Sequence, residues 1–313
     1  MVQRMQNSPF FAILFAVLIG SILFFSLLTS VTQANEITLE ELASPDTGEE
    51  WFLVGNVFLD VGEYEDAIGS WHNAMILDPS YTADAWYNIG LAYAHAELYL
   101  DAILAWGKSI EYNPSFAASY DNIATAYLLL GMPKEALMTY DTAIAIDPTE
   151  EKYRMDRVIF IENLKNSVIN GESGQFQIEQ WNDIGMILYH EGDISTAQKA
   201  WEKALMSYEG REYSSNPLET NVIWKAWKNS AVAYMEQGEY TSALNAWLHA
   251  LELYQDGSSY NDLGYCYIML EMKSEALDAF ENAIAWDPEN KLYMENKNNL
   301  IELFSDIGDE EGG

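Results

Sequence analysis

At 313 residues, 49% of them hydrophobic, the chain is long enough for one or two packed units. Its 49 acidic against 15 basic residues give a net charge of -34, a field that repels phosphate backbones and excludes nucleic acid as a partner. Ten tryptophans and 13% aromatic residues exclude a disordered acidic chain, and the single cysteine, Cys266, excludes an intramolecular disulfide.

The first predicted element is apolar. From Phe10 to Leu28 the chain runs 19 residues without a charge, which at 1.5 Å per residue nearly spans a hydrocarbon core. Arg4 precedes this run and the next basic residue is Lys108, while fourteen acidic residues lie between Asn35 and Trp106. The positive-inside bias therefore puts the amino terminus in the cytoplasm and everything after the run outside it. Residues 1–34 read as a transmembrane signal anchor, because the run exceeds the apolar stretch of about 7–15 residues in a cleaved signal. Cleavage near Ala34, after the small residues of Thr32-Gln33-Ala34, would instead release a secreted protein. Residues 35–47 form an acidic spacer.

Beyond the spacer one pattern occurs six times. Its first copy reads Trp51, Gly55, Phe58, Ala67, Trp71, Ala74 and Pro79, and its second Trp86, Gly90, Tyr93, Ala102, Trp106, Ser109 and Pro114. The later copies begin at Tyr120, Trp181, Trp227 and Tyr260. Large residues at i, i+3 and i+7 build an apolar stripe, and small ones at a crossing let two helices approach, so each copy predicts a helical hairpin. Gly62, Gly131, Gly192 and Gly238 stand between the two stripes, where a helix commonly ends in a left-handed residue; two copies have Glu97 and Glu271 there. Asp78-Pro79, Asn113-Pro114, Asp147-Pro148 and Asp287-Pro288 stop the second helices. Helix-like runs follow the third copy (Glu151 to Ser167) and the sixth (Asn290 to Phe304), aligning at a shift of 140 that matches Tyr153 with Tyr293. Extra residues between the fourth and fifth copies are placed in Glu209 to Thr220, where Gly, Ser, Asn and Pro cluster.

The pattern resembles the tetratricopeptide repeat (TPR), Trp-x2-Leu-Gly-x2-Tyr, then Ala-x3-Phe, then Pro. The resemblance implies an all-α helical-hairpin solenoid, a right-handed superhelix with a concave groove, built to bind other chains. The expected layout is six repeats in two three-repeat blocks, 48–170 and 178–306, each closed by a capping helix, with a linker at 171–177 and an acidic tail at 307–313 that is disordered from Asp306.

Nothing in the chain points to catalysis, and no cofactor or metal is expected. His190 and Glu191 begin a zinc-protease spacing, but position 194 is isoleucine. The four histidines fall in four different copies, and Cys266 reads as a core residue.

By resemblance, the residue after each leading aromatic and the one a turn later face the groove. These are Phe52 and Asn56, Tyr87 and Leu91, Asp121 and Thr125, Asn182 and Met186, Lys228 and Val232, and Asn261 and Tyr265. The mixture of aromatic, amide and aliphatic groups suits a peptide segment or partner helix. One branch of the family binds carboxylate tails of heat-shock chaperones through a Lys-Asn pair at these two positions, and no copy here has that pair. The fifth copy offers Lys225, Lys228 and Asn229, with Lys199, Lys203 and Arg211 nearby in sequence, as the candidate for receiving an acidic group. The first block favours basic or neutral partners. These features predict a non-catalytic, membrane-tethered protein-interaction scaffold that assembles or retains an envelope complex. The alternative is a secreted or tethered receptor for a small solute or glycan, because aromatics in a concavity also stack on small ligands.

Overall fold

The structure is a computed structural model that describes residues 45–170, 176–207 and 217–310, with side chains described as far as Glu302. The Phe10 to Leu28 run, most of the linker at 171–177 and Arg211 lie outside the described residues. Among those described, no helix is long and apolar enough to cross a membrane.

Fourteen α-helices and no strand make up the described residues. The chain divides into two compact units between Arg157 and Val158. In the first unit lie α1 (Gly48–Asp60), α2 (Tyr64–Leu77), α3 (Thr82–His95), α4 (Tyr99–Tyr112), α5 (Ala117–Leu129) and α6 (Pro133–Ile146). The division falls inside α7 (Glu151–Asn170), which contributes its start to the first unit and the rest to the second. The second unit continues with α8 (Ile178–His190), α9 (Ile194–Met206), α10 (Pro217–Glu236), α11 (Tyr240–Leu253), α12 (Gly257–Met269), α13 (Lys273–Trp286) and α14 (Lys291–Glu310). From α1 to α6, and again from α8 to α14, each helix packs on its neighbour in sequence, and α1 also meets α3 as α8 meets α10, which is the one-dimensional packing of an all-helical solenoid.

Two boundaries differ from the sequence reading. Pro217 to Thr220, placed in the inserted loop, form the first turn of α10, where a proline's fixed φ and missing N–H suit the start of a helix. The last helix runs on through Asp306 to Glu310, where a disordered tail was expected, one continuous helix from Lys291.

The turns within the six helix pairs share one device. Their middle residues, Gly62, Glu97, Gly131, Gly192, Gly238 and Glu271, all have φ between 60° and 83°. In each, the next N–H reaches back to a carbonyl five residues earlier, as Glu63 does to Phe58 and Leu98 to Tyr93, both at 2.9 Å. The turn residue's own N–H bonds three residues back, as Gly62 does to Leu59 at 3.0 Å, and this double closure satisfies the last free carbonyls of the first helix and aims the chain into the second. Glycine adopts the left-handed conformation without strain, whereas an L-residue pays about 1–2 kcal/mol. Glu97 and Glu271 are exposed. Glu97→Gly and Glu271→Gly are therefore each expected to raise stability by about 1 kcal/mol, measured as a shift in the urea midpoint at unchanged slope.

The core follows the small and large residues of the pattern. Trp71, Trp106, Trp201 and Trp247 are buried on the second helices, opposite Gly55, Gly90, Gly185 and Ala231 of the first. A Cβ added at Gly55, Gly90 or Gly185 would lie 2.5, 2.3 or 2.3 Å from the facing indole Nε1, and one at Gly264 would lie 2.6 Å from Phe280. The missing Cβ lets each indole reach the backbone of the first helix: Trp71 Nε1 donates to the Phe52 carbonyl at 3.2 Å, Trp106 to Tyr87 at 3.0 Å and Trp201 to Asn182 at 3.3 Å.

Candidate interaction surface

The residues nominated along the first helices divide into those that join neighbouring helices and those that face solvent. In the first unit Phe52 and Tyr87 are half-buried, their rings 5.1 Å from Tyr81 and 4.8 Å from Phe116. Asn56 Oδ1 accepts from Trp71 Nε1 at 3.2 Å and from Asn88 Nδ2 at 2.9 Å, so one amide links α1, α2 and α3. Leu91 is half-buried and Thr125 exposed, with Thr125 Oγ1 hydrogen-bonded to Tyr140 OH at 3.0 Å. Asp121 is only 2% exposed and takes the Lys152 ammonium on Oδ2. Burial pushes its carboxyl above the usual carboxylate range, against the opposing pull of Lys152. Burial likewise opposes the charge on Lys152, but its bonds to Asp121 and Asp156 outweigh that and raise its pKa.

The second unit repeats the arrangement with other residues. Asn182 is buried and its Oδ1 accepts from Asn229 Nδ2 at 3.2 Å, joining α8 to α10. Asn261 is buried and accepts from Asn296 at 2.7 Å, joining α12 to α14, while donating to Asp262. Lys228 Nζ donates to Ser258 at 2.8 Å, lies 3.6 Å from Asp256 and stands 5.2 Å over the Trp224 ring. Burial opposes ionisation of Asp256, but the hydroxyls of Ser258 and Ser259 outweigh it and hold its pKa low. The structure thus engages Lys228 and Asn229 of the proposed acid-receiving group, and Lys203 stands over Trp181, while Lys225 remains exposed. Met186 is half-buried and Val232 likewise; Tyr265 is 42% exposed, edge-on to Phe280.

Of three bridges sequence reasoning named one member and missed the other, Asn88, Lys152 and Asn296, whereas it named both members of the Asn182 and Asn229 bridge. The partners lie 31 to 35 residues apart in these three bridges, close to one repeat, and that spacing was the available signal. A cavity of about 500 Å³ was also missed; Phe176, Ile178, Ser207, Leu218 and Val222 line it in the second unit.

Cys266 is buried, donates to the Tyr240 carbonyl at 3.2 Å and has its thiol pushed up to about 11 by burial, which disfavours the reactive thiolate. Among the described residues no group of three His, Cys, Asp or Glu side chains is placed to hold a metal ion.

Models of the tetratricopeptide repeat match residues 52–118, 117–150 and 228–291, together just over half of the chain. No curated protein matches it. Among solved structures the chain is similar to YrrB, a TPR protein with an unusual peptide-binding site, at 16% identity and a TM-score of 0.37, over 72% of this chain and 97% of that one. It is also similar to a tetratricopeptide repeat protein from Parabacteroides merdae, at 15% identity and a TM-score of 0.34, over 81% and 98% of the two chains. A chain of the APC/C hetero-tetramer Cut9-Hcn1 matches at 17% identity and a TM-score of 0.38, over 88% of this chain; the match spans about half of that chain, 52%.

Proposed function

We propose, from the premise that this chain belongs to the tetratricopeptide repeat family, that it is a non-catalytic protein-interaction scaffold of six repeats in two blocks, each closed by a terminal helix. The observation that carries the reading is the contrast between two sets of positions. Packing positions repeat from copy to copy, as with the glycine-indole pairs, while equivalent positions on the first helices carry phenylalanine, tyrosine, aspartate, asparagine and lysine. A surface whose scaffold is constant and whose side chains vary suits recognition of a particular segment. The apolar run from Phe10 to Leu28 supports a tether that leaves the repeats on the extracytoplasmic side, where the partner would be a component of an envelope complex.

The test is crosslinking by a photoreactive residue placed at Tyr87 or Tyr265 in the full chain, in native membranes at low and high salt. The expected outcome is one protein adduct that persists in salt, together with loss of its capture by Tyr87→Ala at unchanged helical circular dichroism. Adducts spread over abundant proteins, with capture unaffected by Tyr87→Ala, would reject the scaffold. The cavity bordered by Phe176, Leu218 and Val222 favours one second reading, a small-ligand receptor. Binding of a soluble ligand that Leu218→Trp abolishes would establish it.

A further inference from the structure

We propose that the first unit receives a Lys or Arg side chain of a basic protein segment at Asp121 and Asp156, and that Lys152 is the internal cation occupying that place in the free protein. The inference rests on the scaffold reading and names the chemistry of its partner.

A carboxylate offers about four acceptor positions, and burying one with positions unfilled is costly. The Asp121 side chain is 3% exposed, its Oδ2 takes Lys152 Nζ, and its Oδ1 is buried with no hydrogen-bond partner among the described residues. Asp156 Oδ2 holds the same ammonium at 2.7 Å, which leaves two carboxylates sharing one cation. The Lys152 side chain is 58% exposed and that of Asp156 32%, so the shared cation is reached from solvent beside the buried Asp121 carboxyl. The ammonium also lies 5.5 Å from the centroid of the Tyr153 ring, an aromatic neighbour that favours any cation taking its place. Lys152 thus displays the ligand class that the site accepts.

The surrounding charge selects the same partner. From Ala117 to Arg157, the stretch that holds Asp121 and Asp156, the chain has seven Asp and Glu against four Lys and Arg, and from Pro45 to Gly107 eleven and none. A basic segment approaching the first unit therefore meets a net attractive field, to which α1 to α3 contribute no competing Lys or Arg. An acidic segment is repelled by the same field.

The probe is a fluorescein-labelled peptide alternating lysine and phenylalanine, compared with its norleucine-for-lysine counterpart, titrated into the full chain in detergent. Lys152→Met keeps the aliphatic length and vacates the site. The lysine peptide should then bind about tenfold more tightly than to the wild type, the norleucine peptide no more tightly. Adding Asp121→Asn should abolish the gain. Because burial already disfavours the Asp121 charge, the amide is compatible with folding, which helical circular dichroism checks. Adding Asp84→Asn, which removes an exposed charge on α3 instead, should leave the gain intact. No gain in Lys152→Met and in Lys152→Ala, or equal losses from Asp84→Asn and Asp121→Asn, would overturn the proposal, the latter by assigning binding to the general field. Crosslinking to a partner without any lysine-dependent gain would sink this inference alone. A gain without any protein adduct in membranes would sink the scaffold and leave the cation site.

Discussion

Gly90→Ala is expected to destabilise the first unit by about 2–4 kcal/mol, although alanine is by itself the better helix former by about 1 kcal/mol. The added methyl would sit 2.3 Å from Trp106 Nε1, closer than any side-chain contact tolerates, and the indole is fully enclosed. Either α3 and α4 separate, or the indole withdraws and loses its 3.0 Å bond to the Tyr87 carbonyl. Overpacking costs about 1–3 kcal/mol, and a buried N–H left without an acceptor about 1–3 kcal/mol, so the penalty outweighs the gain in propensity. The chain contains its own control. In the α10–α11 pair the facing residue is Ala231, and Trp247 Nε1 is buried with no partner among the described residues. Urea unfolding combined with amide hydrogen exchange would check the prediction, because in a solenoid the loss should concentrate in α3 and α4 and their neighbours. Unchanged protection there would refute the role assigned to the missing Cβ.

The same residues explain what could be read in advance. A feature repeated in every copy is visible as spacing, and the left-handed turn was legible even at Glu97 and Glu271 because their register with Gly62 and Gly131 fixed it, against the preference of glutamate. Helix pairing followed from the same periodicity. What escaped were features made once. Asp121 reads as a groove residue, but it is buried and Lys152 reaches it from the first turn of α7, a contact that no local pattern encodes. Asn56, Asn182 and Asn261 read as offered to a ligand, whereas each accepts from an amide on a later helix, α3, α10 and the terminal α14. Polar side chains are ambiguous in this way because a bridge between helices and an open rung need the same chemistry. The division inside α7 was equally hidden: Phe160, Leu164 and Val168 mark a buried face on one continuous helix, and a continuous helix gives no sign of where contacts change.

Trp201→Ala is expected to cost about 3–5 kcal/mol, the upper range for emptying a large buried site, since the indole is 1% exposed and lies against Gly185, which has no side chain to fill the cavity. Replacement by phenylalanine then separates packing from hydrogen bonding. At Trp71, Trp106 and Trp201 the change removes an N–H that is bonded to a helix carbonyl, a loss of about 0.5–1.5 kcal/mol beyond the lost ring volume. At Trp247 there is no bond to lose, and removing a buried unpartnered N–H relieves about 1–3 kcal/mol of desolvation, which offsets most of the volume lost. Trp247→Phe should therefore lie within about 1 kcal/mol of the wild type, while Trp106→Phe is clearly destabilised. Phe280 shows that a phenylalanine is accepted at this position: it is fully buried against Gly264 in the α12–α13 pair. Equal losses from Trp106→Phe and Trp247→Phe in urea titrations would mean that ring volume alone sets the stability of these hairpins, and that the glycines serve only to make room.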